Sequence, residues 1–309
     1  MQVPQPSGPV ASAQFTTTPA TPIRATGGEV QQGRRVTCPA AADGQAFLFQ
    51  RRIRYGVSVG ENPAEEPLEG GNTSASVVRL GDTVRKPWLP STERTVSYML
   101  ALRDRGIDLP EPHGQDKQGR LVLDYVPGLL AIDCEPLGEA LLRRIGGLVR
   151  SIHDASVGLP VPDTWDVLIP AEDPDLICHN DLASWNLVID GDRLVFIDWD
   201  GAGPSTRQWD LAYAAVSFGR LFPTDEPEMA ASRLSAFVDG YGPDACLRGA
   251  LPVTMARRAR AMHSLLHRSH QAGDEPWASM YIQGHGEHWD QTADYVAQHH
   301  QVWRRAICR

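Results

Sequence analysis

Apolar residues are spaced in two different ways along the chain, and the spacing changes near residue 128. Between residues 68 and 126, short β-branched runs alternate with turn residues. The runs SVVRL and TVRK flank Gly81 and Asp82, and two short strands across a two-residue turn that contains glycine form a β-hairpin. A further run at residues 121–126 ends before a Pro-Gly pair. This part of the chain is therefore predicted to form a small sheet.

Helical spacing occurs once in the first part of the chain and dominates the second. Residues 91–106 carry apolar side chains about once per turn, and Ser91 or Thr92 is the predicted N-cap. Residues 139–156 and most of the chain from residue 209 onward show the same spacing. The exception is a stretch near residue 190, where NLVI and LVFIDW predict two strands joined by a tight turn.

Residues 1–66 differ from the rest in composition, because they are rich in Pro, Ser, Thr, Gln, Gly and Ala and show little apolar periodicity. Such a segment buries too little apolar surface to offset its chain entropy, so it is predicted to be a mostly disordered extension. A small lobe at 67–126 and a larger helical lobe at 127–309 are expected to follow. The opening MQVPQPSGPVASAQ lacks the features of a secretory signal, which favours a cytoplasmic protein.

Composition and charge exclude several classes of function. The 309 residues contain no apolar run close to the roughly 20 residues that a membrane span requires. The formal net charge of -9 and the lack of a basic cluster argue against a nucleic-acid partner. The five cysteines are scattered and include no CxxC pair, so neither a disulfide framework nor a zinc site is indicated.

Three side chains that carry oxygen are predicted to meet at one end of the two strands near residue 190. Counting outward from their turn places Asn186 opposite Ile197 or Asp198. Asp181 lies in the loop just before the first of these strands. Converging carboxylate and amide oxygens suit a hard divalent cation, above all Mg²⁺. An Asp five residues before an Asn, with another Asp about a dozen residues later, is typical of phosphoryl transfer.

Two segments resemble the aminoglycoside phosphotransferases and their relatives. HNDLASWN is similar to the HxDxxxxN catalytic loop of that family, and FIDWDGAGPSTRQWDLAYA is similar to its metal-binding segment and the helix that follows. The resemblance extends from about residue 68 to the end of the chain. It implies an α+β, bilobed, protein-kinase-like fold with a small β-rich N-lobe and a larger helical C-lobe.

The resemblance also assigns roles to individual residues. Asp181 would accept or orient the proton of the acceptor hydroxyl, and Asn186 and Asp198 would be the ligands of Mg²⁺. His179 would brace the loop without reacting. Asp210, in WDLA, would cap backbone N–H groups of the catalytic loop. In this reading ATP or GTP is the co-substrate.

The nucleotide would bind in the small lobe. Tyr125 and Val126 fall in the segment that resembles the hinge between the lobes, whose backbone holds the purine. A loop of small residues would let backbone N–H groups approach the phosphates, and its members are Gly70, Gly71, Asn72, Thr73 and Ser74. A run of this kind is most often a plain turn, so the loop alone carries little weight.

Lys86 matches the lysine that pairs with nucleotide phosphates in the family. The chain contains only one other lysine, Lys117, which makes the position of Lys86 at a strand end notable. Its acidic partner is left open by the sequence. Either Glu93 pairs with it, or the pair is absent and Arg85 or Arg94 shares the phosphate contacts.

Three interpretations of function follow. The first is a kinase that inactivates an antibiotic of the aminoglycoside kind, and the second is a kinase of a small metabolite such as an amino alcohol. The third is a catalytically inactive binding or immunity protein with the same fold. Between residues 172 and 290 acidic residues outnumber basic ones by about two to one. This excess favours a cationic acceptor, although an ordinary solvated surface would have the same composition.

Overall fold

The computed structural model describes residues 65–68, 77–162 and 164–308. All of them lie in the compact unit Val36–Arg309. The predicted phosphate loop, from Gly70 to Ser74, and nearly all of the predicted extension at 1–66 lie outside the described residues. Among the residues that are described, no helix is both long enough and apolar enough to cross a membrane.

A five-stranded antiparallel sheet forms the small lobe, with the strand order β1-β2-β3-β5-β4. The predicted hairpin is confirmed, since Leu80 pairs with Thr83 across a turn in which Gly81 has a φ of +61°. The sequence pattern did not predict β4, an edge strand whose residues PHGQ lack alternating apolar side chains. The strands are β1 Glu66–Pro67, β2 Val78–Leu80, β3 Thr83–Lys86, β4 Pro112–Gln115 and β5 Leu121–Asp124.

Helix α1, Thr92–Asp104, lies between β3 and β4 and confirms the helix predicted there. Ser91 occupies the predicted N-cap position, but it has helical dihedral angles and its side chain makes no capping hydrogen bond. Thr92 instead accepts a hydrogen bond at Oγ1 from the N–H of Leu89, 2.8 Å away. The hydroxyl therefore fixes the turn before the helix and leaves the first-turn N–H groups without a side-chain cap.

The large lobe is mainly helical, as the spacing predicts. Its helices surround a continuous apolar core, in which Phe237, Leu142 and Ile145 are fully buried. Helix α2 spans the residues predicted from the sequence, Glu139–Ser156. The others are α3 Arg207–Gly219, α4 Pro227–Tyr241, α5 Ala245–Ala272, α6 Trp277–Met280, α7 Gly286–Gln298 and α8 His300–Ile307.

Two further sets of short strands flank the predicted catalytic segment. A three-stranded antiparallel sheet has the order β6-β8-β9, and β7 pairs separately with β10. Leu187 pairs with Phe196, and the N–H of Ile197 donates to the carbonyl of Asn186 at 2.8 Å. The predicted register is thereby confirmed. These strands are β6 Leu129–Leu130, β7 Leu176–Cys178, β8 Leu187–Asp190, β9 Arg193–Phe196 and β10 Gly203–Ser205.

Helices α2 and α4 cross so closely that glycine is required at the contact. A Cβ atom on Gly146 would lie 2.1 Å from the carbonyl oxygen of Phe237, whereas one on the adjacent Gly147 would meet only the carbonyl of Gly240 at 3.7 Å. We expect Gly146→Ala to lower the free energy of unfolding by about 3 kcal/mol or more, because backbone cannot yield as a side chain does. Gly147→Ala should be neutral or raise it by up to about 1 kcal/mol. Chemical denaturation of both variants measures the contrast, and equal stabilities would contradict the packing.

Candidate active site

The predicted catalytic loop joins β7 to β8, and a buried histidine fixes its start. His179 Nε2 lies 3.1 Å from the carbonyl of Ile197, and the N–H of Asp181 lies 3.3 Å from Nδ1. A carbonyl only accepts and an N–H only donates, so the ring carries its proton on Nε2. The ring also contacts Trp199, with ring centroids 4.5 Å apart. His179 therefore ties the loop to the end of β9.

Asp181 and Asn186 contact each other directly within this loop. The amide nitrogen of Asn186 donates to Oδ2 of Asp181 at 2.7 Å and to the Asp181 carbonyl at 3.0 Å. Burial raises the pKa of Asp181, although His179 and a hydrogen bond from the Tyr213 hydroxyl oppose that shift. Because the Asn186 nitrogen is engaged, its carbonyl oxygen is the atom that remains for a metal ion.

Asp198 follows β9 in the left-handed region, with a φ of 58°. Lys86 reaches it from the small lobe, with Nζ 2.8 Å from Oδ1 of Asp198 and 2.7 Å from Oδ2 of Asp200. Burial opposes the charge of Asp198, yet the ion pair with Lys86 holds its pKa below the usual range. Burial and the neighbouring Asp198 raise the pKa of Asp200. The ammonium group of Lys86 is thus shared by two carboxylates, and these ion pairs link the small lobe to the large one.

The partners of Lys86 differ from both alternatives left open by the sequence. Lys86 is only 5% exposed, and its ion pairs in the described part of the chain are with Asp198 and Asp200, not with Glu93. Arg85 lies 3.6 Å from the carboxylate of Asp116, and Arg94 donates to Thr164. Each of these arginines thus has a partner other than the two carboxylates that Lys86 contacts. Asp200, the second acid of FIDWDG, is a partner of Lys86 that the sequence analysis missed. Its position two residues after Asp198 was the feature of the sequence that could have indicated it.

The expected role of Asp210 is not seen. Asp210 is buried, and its hydrogen-bond partner among the described residues is Nε2 of His153, 3.0 Å from Oδ2, not the backbone of the catalytic loop. His153 also contacts the hydroxyl of Tyr241 at 2.9 Å. The loop is held instead by Asn180, whose amide donates to the carbonyl of Gly201 at 3.1 Å. The carboxylate of Asp210 therefore couples α3 to α2.

The predicted hinge residues, Tyr125 and Val126, follow β5, and the backbone N–H and the ring of Tyr125 are both engaged. The N–H of Tyr125 donates to the carbonyl of Asp82 at 2.9 Å. The guanidinium carbon of Arg79 lies 3.9 Å from the centroid of the Tyr125 ring. Val126, the other predicted hinge residue, comes next in the chain. Tyr125 is thus fixed against the β2–β3 hairpin.

The donor set suits magnesium better than zinc. Asp198 could offer carboxylate oxygens and Asn186 a carbonyl oxygen, which are the ligands that Mg²⁺ prefers, while Asp200 is paired with Lys86. The Asn186 amide also donates to a neighbouring carboxylate, that of Asp181. A protonable carboxylate next to an oxygen-lined cation site can orient a hydroxyl toward a metal-bound phosphate.

The profile of the phosphotransferase enzyme family matches residues 160–249. The resemblance to phosphotransferases is confirmed. The matched segment contains Asp181, Asn186 and Asp198, so the family match and the clustered side chains involve the same part of the chain.

Two curated proteins are similar to this chain in sequence. The trifolitoxin immunity protein of Rhizobium leguminosarum bv. trifolii is 28% identical over 190 residues, which cover 56% of this chain and 72% of that protein. The 3-deoxy-D-manno-octulosonic acid kinase of Vibrio cholerae serotype O1 is 31% identical over 152 residues, 42% of this chain and 56% of the kinase. The chain therefore spans little more than half the length of that kinase.

The solved structure of a microcompartment-associated aminopropanol kinase has the same fold. It superposes with a TM-score of 0.55 at 17% identity and covers 80% of this chain and 96% of the kinase. The predicted α+β, kinase-like fold, with a β-rich N-terminal region and a helical C-terminal region, is confirmed. At this identity the likeness concerns the fold alone.

Proposed function

We propose that this protein transfers the γ-phosphate of ATP or GTP to a hydroxyl group of a small molecule. The observation that carries the proposal is the convergence of Lys86, Asp198 and Asp200 beside a loop in which Asn186 holds Asp181 at 2.7 Å. Phosphoryl transfer needs three kinds of group, which are a basic side chain for the phosphates, oxygen ligands for Mg²⁺ and a carboxylate for the acceptor hydroxyl. Lys86, the Asn186 and Asp198 oxygens, and Asp181 are of these kinds.

Each residue has a proposed task. Asp181 orients the acceptor hydroxyl and takes its proton, while Asn186 and Asp198 hold the Mg²⁺ ion. When bound, that ion neutralises charge on the phosphate oxygens. Lys86 attracts the nucleotide phosphates, and Asp200 keeps Lys86 in place. His179 fixes the loop that carries Asp181.

The purine is proposed to bind at the hinge. The N–H of Tyr125 already donates to Asp82, so we assign the backbone hydrogen bond to the purine to Val126. The phosphate loop proposed from the sequence, from Gly70 to Ser74, would cover the phosphates, and Lys86 would contact them from β3. We also propose a cytoplasmic location, where the nucleotide is available.

We propose a hydroxylated acceptor that carries positive charge, of the aminoglycoside kind, so that phosphorylation would give antibiotic resistance. A cavity of about 400 Å³ beside α7 is lined in part by Tyr281, Glu287 and Asp290. Trp289, on the same helix, stacks on Tyr213 with ring centroids 5.7 Å apart, and Tyr213 is hydrogen-bonded to Asp181. Asp290 is already paired with Arg260, so the carboxylate of Glu287 and the ring of Tyr281 are the groups of this cavity that favour a cation. An amino alcohol has the same chemistry and is the alternative acceptor.

A second candidate function is immunity without catalysis. It is favoured by the 28% identity with the trifolitoxin immunity protein. Against it stands the complete set of catalytic groups, since a binding protein has no need of Lys86 paired with Asp198, or of Asp181 beside Asn186. We therefore place catalysis first.

Nucleotide turnover tests the proposal. The protein is incubated with ATP or GTP and Mg²⁺ in the presence of aminoglycosides, amino alcohols and neutral sugars, and nucleoside diphosphate is measured. We expect turnover that depends on both Mg²⁺ and one class of acceptor. A compound that raises the melting temperature without turnover would favour the immunity candidate, since binding stabilises the native state. Turnover that persists when Mg²⁺ is chelated would contradict the role of the metal.

A cationic acceptor should bind more weakly as salt is added. Because exposed charge attraction is screened over about 8 Å at physiological ionic strength, we expect the KM for the acceptor to rise steadily between low and high potassium chloride. Saturating kcat should change little. The KM for a neutral acceptor analogue, measured in the same series, is the control. If the best acceptor is neutral, or if its KM does not respond to salt, the cationic assignment is wrong and the phosphotransferase proposal stands.

A further inference from the structure

Tyr213 is a buried tyrosine of α3 whose hydroxyl meets the catalytic carboxylate. Its side chain is 1% exposed, and its hydroxyl faces the Asp181 carboxylate, within reach of a hydrogen bond. Burial and the charge of Asp181 raise the pKa of Tyr213 well above its usual range, so the hydroxyl stays protonated and donates. Together with the Asn186 amide, 2.7 Å from Oδ2, two donors restrain the Asp181 carboxylate.

The ring of Tyr213 is itself held in place. Trp289 stacks on it with an interplanar angle of 20°. The guanidinium carbon of Arg258, a residue of α5, lies 4.3 Å from the ring centroid. Tyr213 therefore receives contacts from α5 and α7, the two helices that border the proposed acceptor site, and has little freedom to rotate.

Arg258 contacts the catalytic loop as well as Tyr213. It is 3% exposed, and Nη2 donates to the carbonyl of Asn180, the residue before Asp181, at 3.2 Å. Nη1 is also buried and has no hydrogen-bond partner among the described residues. Burying a guanidinium is costly unless its contacts offset the lost hydration. The contacts that offset this cost are the Asn180 carbonyl and the face of Tyr213.

We propose that Tyr213 is a positioning residue that orients the Asp181 carboxylate, and that Arg258 holds Tyr213 and the loop in register. This inference rests on the proposed phosphotransferase activity. Positioning matters because a displacement of about 1 Å at a reacting group can cost about a hundredfold in rate. Neither residue is assigned contact with the nucleotide, so their effect should appear in kcat and not in the KM for ATP.

Tyr213→Phe removes the hydroxyl and keeps the ring. We expect kcat to fall about ten- to a hundredfold, the range for a lost hydrogen bond to a charged group, with the KM for ATP within about twofold of the parent. The matched control is Tyr295→Phe, which removes a buried tyrosine hydroxyl that donates to the Asp225 carbonyl at 2.6 Å, away from Asp181. Its kcat should equal the parent's.

A double-mutant cycle shows whether Tyr213 acts through Asp181. In an Asp181→Ala background, Tyr213→Phe should change the residual turnover by less than about twofold, because the group that it orients is gone. A merely structural role would reduce turnover by the same factor in both backgrounds. The same four proteins are compared by chemical denaturation, which reports the coupling of the two side chains without any need for turnover.

The outcomes separate this inference from the proposed function. Turnover by the parent together with a non-additive cycle supports the positioning role. Turnover with an additive cycle, or with an unchanged kcat in Tyr213→Phe, overturns the positioning role and leaves the phosphotransferase proposal intact. A parent protein that turns over no acceptor overturns the proposed function and the positioning role with it, whatever coupling denaturation reports.

Discussion

Asp181→Ala should lower kcat by about two to four orders of magnitude, the range for a positioned general base. The carboxylate lies beside Asn186 in a loop braced by His179, where a bound hydroxyl would meet the phosphate. Burial raises the pKa of Asp181. The ionised carboxylate therefore lowers the free energy of unfolding at neutral pH. Alanine should therefore leave the melting temperature within a few degrees of the parent's while removing turnover.

The control for Asp181→Ala is Asp192→Ala. Asp192 lies in the exposed turn between β8 and β9, and its replacement changes the net charge by the same amount. Its kcat should match the parent's when both are measured at saturating nucleotide, Mg²⁺ and acceptor. An Asp181→Ala protein that keeps more than about a tenth of parental kcat would remove Asp181 from the mechanism.

The local features of this site could be predicted from the sequence because they depend on neighbours along the chain. A tight turn sets the register of β8 and β9, so counting outward from it placed Asn186 opposite Ile197 or Asp198, and the hydrogen bond at 2.8 Å selects Ile197. The bounds of α2 followed in the same way from helical spacing over 18 residues. Both predictions needed only the period of a strand or a helix.

Contacts between distant elements could not be predicted in this way. Lys86 and Asp198 lie 112 residues apart, and their ion pair depends on how the two lobes meet. Tyr213 and Arg258 belong to different helices, and neither the WDLAYA segment nor the ARRAR segment carries a local sign of their contact. The same reason explains the wrong role for Asp210, whose partner His153 is 57 residues away.

The second large effect is expected in the response to magnesium. We predict that Asn186→Ala and Asp198→Ala each raise the Mg²⁺ concentration for half-maximal turnover by about tenfold or more, because each removes one oxygen of the proposed cation site. Asp198 should be ionised at neutral pH in the parent, since Lys86 outweighs the effect of burial and holds its pKa low. The loss of a charged ligand should therefore exceed the loss of the neutral Asn186 carbonyl.

Magnesium titrations at saturating nucleotide and acceptor measure this difference. Asp198→Ala also releases Lys86, whose partners are Asp198 and Asp200, so part of its effect will fall on the KM for the nucleotide. Asn186→Ala leaves that ion pair untouched, because the side-chain amide of Asn186 contacts Asp181 and not Lys86. A raised Mg²⁺ requirement in Asn186→Ala, with the KM for ATP at saturating metal unchanged, therefore isolates the metal ligand from the phosphate contact. Titrations of both variants that overlay the parent and the Asp192→Ala control would place the metal ion elsewhere.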